Sequence, residues 1–456
     1  MLLHLTVALT WNHQLPTSSF PVTATVCSLS KKGHRLLSSL DAATGDTTTS
    51  HRLIQKFVAS SSKSVALNAL SHLLSSDIHH YSSLALPMYE RITEAPWFNW
   101  NPKLVSTVIA SLENQGRFNA AETLILESSQ RLASRERDLA LFNCHLIDSY
   151  SKYGSKRGVF DSYARLKKLL SGFSSSQCSS LNRQAFESMI NGLCMLDLPC
   201  DAEEMMEQMR AEGFNPSDFE FRSVVLGYGR LGLFSEMRRV LYRMESSGYN
   251  LDTISSNIVL SSYGAHGELS QMVSWIQKMK DSNVPFSIRT YNSVLNSCPT
   301  IMSLLQEPKF IPLSIEELIE KLQRDEALLV KELIIGGSSV LVENLKWGSS
   351  EARLDLHGMH LGTAYVLMLQ WMEELKTRFE AGNTVIPAEI KVVCGLGKHS
   401  NVMGKSPVKA LVSEMMVRLR SPMRIGRKND IGCFVGRGKA VRDWLFLVHH
   451  SDSNLI

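Results

Sequence analysis

Asp355 and His357 stand two residues apart at the end of the apolar stretch in "LDLHGMHLGTAYVLMLQW" (354–371), with a glycine directly after. On an extended strand that spacing puts both side chains on one face. A carboxylate beside an imidazole is the equipment for orienting a general base, or holding a cation, at a phosphodiester. A second stretch, "CGLGKHSNVMGKSP" (394–407), carries the complementary groups. Gly395 and Gly397 let backbone N–H groups approach an anion closely. Lys398 and Lys405 supply positive charge, and His399 can serve as acid or electrostatic stabiliser. The loop is not a nucleotide-binding P-loop: that pattern needs four residues between its glycines, and six separate Gly397 from Gly404.

Charge agrees with an anionic partner. The chain of 456 residues is +4 overall, but Arg353–Ile456 holds 15 Lys/Arg against 9 Asp/Glu, so the preceding residues sum to −2. No run of about 18 consecutive apolar residues occurs, so no membrane span is expected. Eight dispersed cysteines form neither a CxxC pair nor a Cys/His cluster at zinc spacing, so no metal site is assigned to them. They read as buried, reduced thiols.

The elements that position these groups alternate. "ARLDLH" (352–357) reads as a strand, 361–379 as a helix with one apolar stripe, and "EIKVVC" (389–394) as a strand. A helix over 406–420 follows, with Ser406 as N-cap and Pro407 at its first position. "MRIGR" (423–427) and "GCFVGR" (432–437) close a sheet, and 439–446 forms a last helical turn. The result is a small α/β two-layer domain over 351–448. Before it, 301–350 is a linker unit. In it, 312–334 reads as one long helix opened by a Ser314/Glu317 capping box, and 340–347 as a β segment.

Residues 183–298 repeat every 35. Met209, Met244 and Met279 share a column, as do Ala202/Met237/Met272, Met205/Val240/Trp275 and Met206/Leu241/Ile276. Steps of 3, 1 and 3 mark one face of a helix. A preceding helix in each copy is marked by Met189/Val224/Val259/Val294, Ile190/Val225/Leu260/Leu295 and Leu193/Tyr228/Tyr263/Cys298. Gly232 and Gly267 punctuate the turn between the two helices, and Gly213 and Gly248 end the second. A hairpin of this size cannot bury its apolar face alone, so copies must stack into an α-solenoid. Looser copies close at Gly116 and Gly154, and 64–74 opens a still earlier one. "IRTYNSVLNSC" (288–298) is a first helix without a clear partner. The solenoid is assigned 51–300.

The 35-residue period, "TYNSVLNS" (290–297), the turn glycines and "GFNPS" (213–217) resemble the pentatricopeptide repeat family. The tetratricopeptide alternative has a 34-residue period and a different Trp/Gly/Tyr signature. The resemblance implies a surface that binds single-stranded RNA at one base per repeat. It also implies reading positions: Glu187 with Ser217, Arg222 with Asp252, Asn257 with Ser287, and Asn292 unpaired. Asn257/Ser287 resembles a pyrimidine-reading pair, since each side chain donates and accepts. Glu187 and Arg222 depart from the family's pattern.

The C-terminal layout resembles the Smr (small MutS-related) domain. "LDLHG" (354–358) matches its opening motif, 394–412 its glycine-rich motif with Cys394 where Thr is usual, and "CFVGRGKAVRDWL" (433–445) its ending. That family includes nucleases, so the resemblance makes Asp355, His357 and His399 catalytic candidates, with Mg²⁺ implied if the domain cleaves. It implies equally a domain that contacts the RNA backbone without cutting. A third reading, a scaffold whose repeats hold a protein, stays open.

The first fifty residues are expected to be a disordered transit peptide. They lack Asp and Glu as far as Leu40 and are rich in Ser and Thr. Sparse arginine favours the chloroplast over the mitochondrion. A secretory signal on "MLLHLTVALTW" is disfavoured by its short apolar core, its His4 and the lack of a basic start.

Overall fold

A computed structural model describes residues 29–76, 78–172, 175–334, 340–381, 385–395, 406–426 and 432–452. They form two compact units, divided between Trp100 and Asn101. The first holds α1 (Lys31–Ala42), α2 (Thr47–Ser60), α3 (Lys63–Leu74), α4 (His79–Ser83) and α5 (Ala85–Thr93). This corrects two expectations. Residues 31–42 are helical instead of disordered: Ser30 caps α1, and Leu36 and Leu40 are buried in the unit. The helices after residue 51 belong with α1, so the unit boundary falls near residue 100 and not at 50.

The second unit begins with the repeats. First helices are α6 (Pro102–Asn114), α8 (Glu136–Lys152), α10 (Ser175–Met195), α12 (Asp218–Arg230), α14 (Thr253–Ala265) and α16 (Ile288–Leu295). Their partners are α7 (Phe118–Leu132), α9 (Lys156–Leu170), α11 (Pro199–Ala211), α13 (Phe234–Ser246) and α15 (Leu269–Asp281). Each first helix packs on the next in an unbroken series from α6 to α16. All the apolar columns of the 35-residue period are buried, none of their members more than 8% exposed. This is the helical-repeat solenoid the period predicts.

The turns explain how the period survives substitution. Gly213 and Gly248 end their helices with φ of 86° and 90°, and Asn283 takes the same place at 53°. Between helices, Gly232 and Gly267 sit at 70° and 72°, with Asp197 at 60° in the earlier copy. Asn and Asp are the side-chain residues that tolerate this left-handed conformation, so each copy closes the same way.

After α16 the expected linker does not behave as one. A short α17 (Pro299–Leu304) leads to α18 (Ile315–Lys321) and α19 (Arg324–Ile334). The single helix expected over 312–334 is therefore two, because the chain turns extended at Leu322 (ψ 149°). Buried Glu326 then draws the chain in, accepting from Gln323 N at 3.2 Å and Thr300 N at 2.8 Å. α19 packs against α15 and α16, pinned by Tyr291 Oη donating to Leu333 O at 2.7 Å and by a Lys280–Glu332 ion pair at 2.6 Å. The β segment expected at 340–347 is α20 (Val340–Asn344) followed by a three-residue strand, β1 (Leu345–Trp347).

The last layer is α/β. β1, β2 (Glu351–Asp355), β3 (Glu389–Val393), β4 (Arg424–Ile425) and β5 (Cys433–Arg437) form one mixed sheet, in the order β1-β2-β3-β5-β4. Only β2 and β3 are parallel, and α21 (Leu361–Glu380) makes the crossover that such a pair requires. α22 (Pro407–Arg418) and α23 (Gly438–Asp452) pack on α21. Ser406 caps α22 as expected, accepting from Lys409 N at 3.2 Å. α23 is fifteen residues long, well beyond the single turn expected. β2 and β3 bury alternate residues (Ala352, Leu354, Ile390, Val392), leaving a second, partly open face. Among the described residues no helix is long and apolar enough to cross a membrane.

Candidate functional site

The repeats place Glu187, Arg222, Asn257 and Asn292 in one column, on successive first helices. Arg222, Asn257 and Asn292 each bond to the N-cap residue of a later helix, whereas Glu187 pairs within its own. Arg222 is fully engaged: Nη2 donates to Asp252 at 2.8 Å, Nη1 to Asp218 at 2.9 Å and Nε to Ser255 at 3.1 Å. An arginine so held, 11% exposed, contributes order more than recognition. Asn257 is buried between helices, with Nδ2 donating to Ser287 Oγ at 3.2 Å and Oδ1 accepting from Thr290 Oγ1 at 2.8 Å. Its half-buried partner Ser287 is the accessible end of that pair. Glu187 lies 3.8 Å from Arg183, and burial, with Glu220 nearby, pushes its carboxyl upward. Asn292, which has no second reading residue assigned to it, accepts from the backbone N–H of His360 at 3.0 Å.

The Asp355–His357 pair is arranged differently from the strand expected. β2 ends at Asp355, so His357 lies in a turn and strand alternation does not relate the two side chains. Asp355 organises that turn, Oδ1 accepting from His357 N at 3.0 Å while Oδ2 takes an ion pair from Arg353 at 3.0 Å. His357 is exposed, and its ring lies beside Gly395: a Cβ built there would stand 3.8 Å from His357 Cδ2. Gly395 has φ +75°, the conformation for which its glycine is needed. The opening motif and the start of the glycine-rich loop thus meet. Gly397, Lys398, His399 and Lys405 lie outside the described residues.

A set of basic residues escapes sequence reading because only strand register assembles it. Lys346 pairs with Arg353, Arg353 with Lys391, Lys391 with Val435 and Val435 with Arg424. Directly opposed residues share a face, so four of these five positions form a basic row across the sheet. None of the five is buried. The signal in the sequence is the alternation of "ARLD" and "EIKVV", which puts Arg353 and Lys391 opposite the apolar set.

The family model for the PPR repeat matches residues 185–214, 221–249 and 254–284, the three copies ending in α11, α13 and α15. The pentatricopeptide repeat-containing protein At2g17033 of Arabidopsis thaliana is 54% identical over 421 residues, covering 91% of this chain and 82% of that protein. The chain belongs to the pentatricopeptide repeat proteins. A second Arabidopsis thaliana pentatricopeptide repeat-containing protein, At1g18900, is 32% identical over 103 residues, 23% of this chain and 12% of that one. Among solved structures, pentatricopeptide repeat protein PPR10 in complex with an 18-nt psaJ RNA element has a TM-score of 0.26 at 14% identity. That match covers 66% of this chain and 54% of that one. PPR10 from maize has a TM-score of 0.24 at 14% identity, covering 91% and 67%.

Proposed function

We propose that this pentatricopeptide repeat protein binds single-stranded RNA along the column Glu187–Arg222–Asn257–Asn292, and that its C-terminal layer is an Smr domain contacting the RNA backbone. The observation that carries the reading is the ladder of polar side chains, one per first helix at 35-residue spacing, on a family scaffold suited to one base per repeat. Base selectivity rests on Asn257/Ser287. Arg222/Asp252 is closed on itself, and Glu187 is a poor neighbour for phosphate. The row Lys346–Arg353–Lys391–Arg424 supports backbone contact, as does the surplus of six positive charges over residues 353–456. The acid-poor N-terminal composition supports an organellar destination, the chloroplast before the mitochondrion, which a fluorescent fusion of residues 1–60 tests.

Site-directed endoribonuclease action is the second reading, favoured by one observation: exposed His357 stands beside Gly395, where an imidazole can take a proton from an attacking hydroxyl. Asp355 is the one carboxylate of the turn and already carries Arg353. The described residues therefore do not make a Mg²⁺ site, and no step is routed through one.

The deciding experiment is filter binding of the full chain to a random pool of labelled single-stranded RNA across 50–300 mM salt, with product ends followed on the same samples. Retention that falls steeply with salt is the expected result, because counterions are released on binding. Absence of retention even at 50 mM salt overturns the reading and leaves the protein scaffold. Discrete ends that vanish in His357→Ala would establish cleavage.

A further inference from the structure

α21 stands where the next first helix of the array would stand. At two earlier steps the column residue of one first helix bonds to the N-cap residue of the following helix. Arg222 reaches Asp252, the N-cap of α14, and Asn257 reaches Ser287, the N-cap of α16. The next step also joins a column residue to an N-cap residue, though by the reverse bond: Asn292 Oδ1 accepts from the backbone N–H of His360, the N-cap of α21. The packing series continues too, for α14 lies on α16 and α16 on α21.

The joint is close and several times pinned. A Cβ built on Gly362 would lie 3.3 Å from both Cβ and O of Leu295, so only glycine lets α21 approach α16 without displacement. Asn296 also bonds the His360 ring. Tyr365 Oη donates to Pro312 O at 2.8 Å and Arg418 Nη1 to Ile311 O at 2.6 Å.

We infer that the α/β layer is a further rung of the RNA-binding array, held in register with it, so that the turn 355–360 meets the nucleotide next after the one facing Asn292. This rests on the single-stranded RNA reading above and adds a fixed spacing to it. A layer tethered by a loose linker would meet RNA at any of several positions. A layer stacked as a rung meets it at one, since each rung spans one base.

The test uses the full chain and one RNA enriched from a random pool, with a single 4-thiouridine walked along it and each photocrosslink mapped to its peptide. The expected result is that crosslinks to 355–360 come from one or two adjacent positions, one or two nucleotides from those reaching α14 and α16. Crosslinks to 355–360 spread over four or more positions overturn the inference, as does their absence while the repeats still crosslink. No crosslink to either region would overturn the RNA reading itself. In Gly362→Leu, the repeat crosslinks are expected to keep their positions while those to the turn spread. An unspread pattern in a variant that melts like wild type argues against the joint, and if that variant does not fold the wild-type walk decides alone.

Discussion

Arg353 and Asp355 lie on the same side of β2, and the guanidinium of one donates to the carboxylate of the other at 3.0 Å. The remaining oxygen of Asp355 accepts from His357 N, so the carboxylate both ends the strand and sets the turn. Asp355→Ala loses both bonds, and about 1 kcal/mol of stability is expected to go, since the pair is about a third exposed. Asp355→Asn keeps an acceptor for His357 N and is expected to lose less than half of that. Thermal melts of the two variants check this; equal losses would mean that the turn bond contributes nothing.

Arg222→Ala leaves Asp218 and Asp252 without their shared cation. A loss of about 1–2 kcal/mol is expected, below the range for fully buried pairs because both carboxylates are partly exposed. The base composition of RNA selected by the variant is expected to match wild type. Asn257→Asp, which removes the donor to Ser287, is expected to change the preferred base at one position. Parallel selections on the two variants check both statements.

Asp148 on α8 is pushed up to about 6 by burial, against an ordinary value of 3.8, with Lys152 and Lys103 only partly offsetting it. A folded-state value above the unfolded one means that its stabilising contribution is complete below pH 3.8 and lost as pH rises through about 6. At pH 8 the fold therefore carries an unfavourable charge. Asp148→Asn is expected to stabilise the chain there by up to about 3 kcal/mol and to change little near pH 4. Melting curves at the two pH values check the sign.

Lys391→Ala and Arg424→Ala each remove one cation from the row across the sheet. For single-stranded RNA each lost phosphate contact is expected to flatten the dependence of log affinity on log salt by about 0.7, without changing the selected sequence. Unaltered slopes in both variants would detach the sheet face from RNA binding.

The repeats were legible because three copies put buried residues in the same columns, and a period of 35 is hard to produce by accident. The start of the glycine-rich loop was legible from Gly395. Other features depend on facts that one strand or helix does not carry. The break at Leu322 follows from the burial of Glu326 against Thr300, a contact between distant segments. The basic row depends on register, and the end of β2 at Asp355 on a side chain that bonds the backbone two residues on. The bond between Asn292 and His360 joins positions 68 apart, with no periodic signal to announce it.

Gly362 has an evolutionary consequence. A stack of hairpins ordinarily lengthens by duplication at any step, because one copy's end face fits the next copy's beginning. Here the face of α16 is taken by α21, so close that a Cβ at position 362 would press to 3.3 Å from Leu295. A hairpin duplicated between them would have to part Gly362 from Leu295 and release His360 from Asn292. Descendants of this chain can gain or lose repeats upstream of α16 far more readily than after it, and their target length would vary from that end.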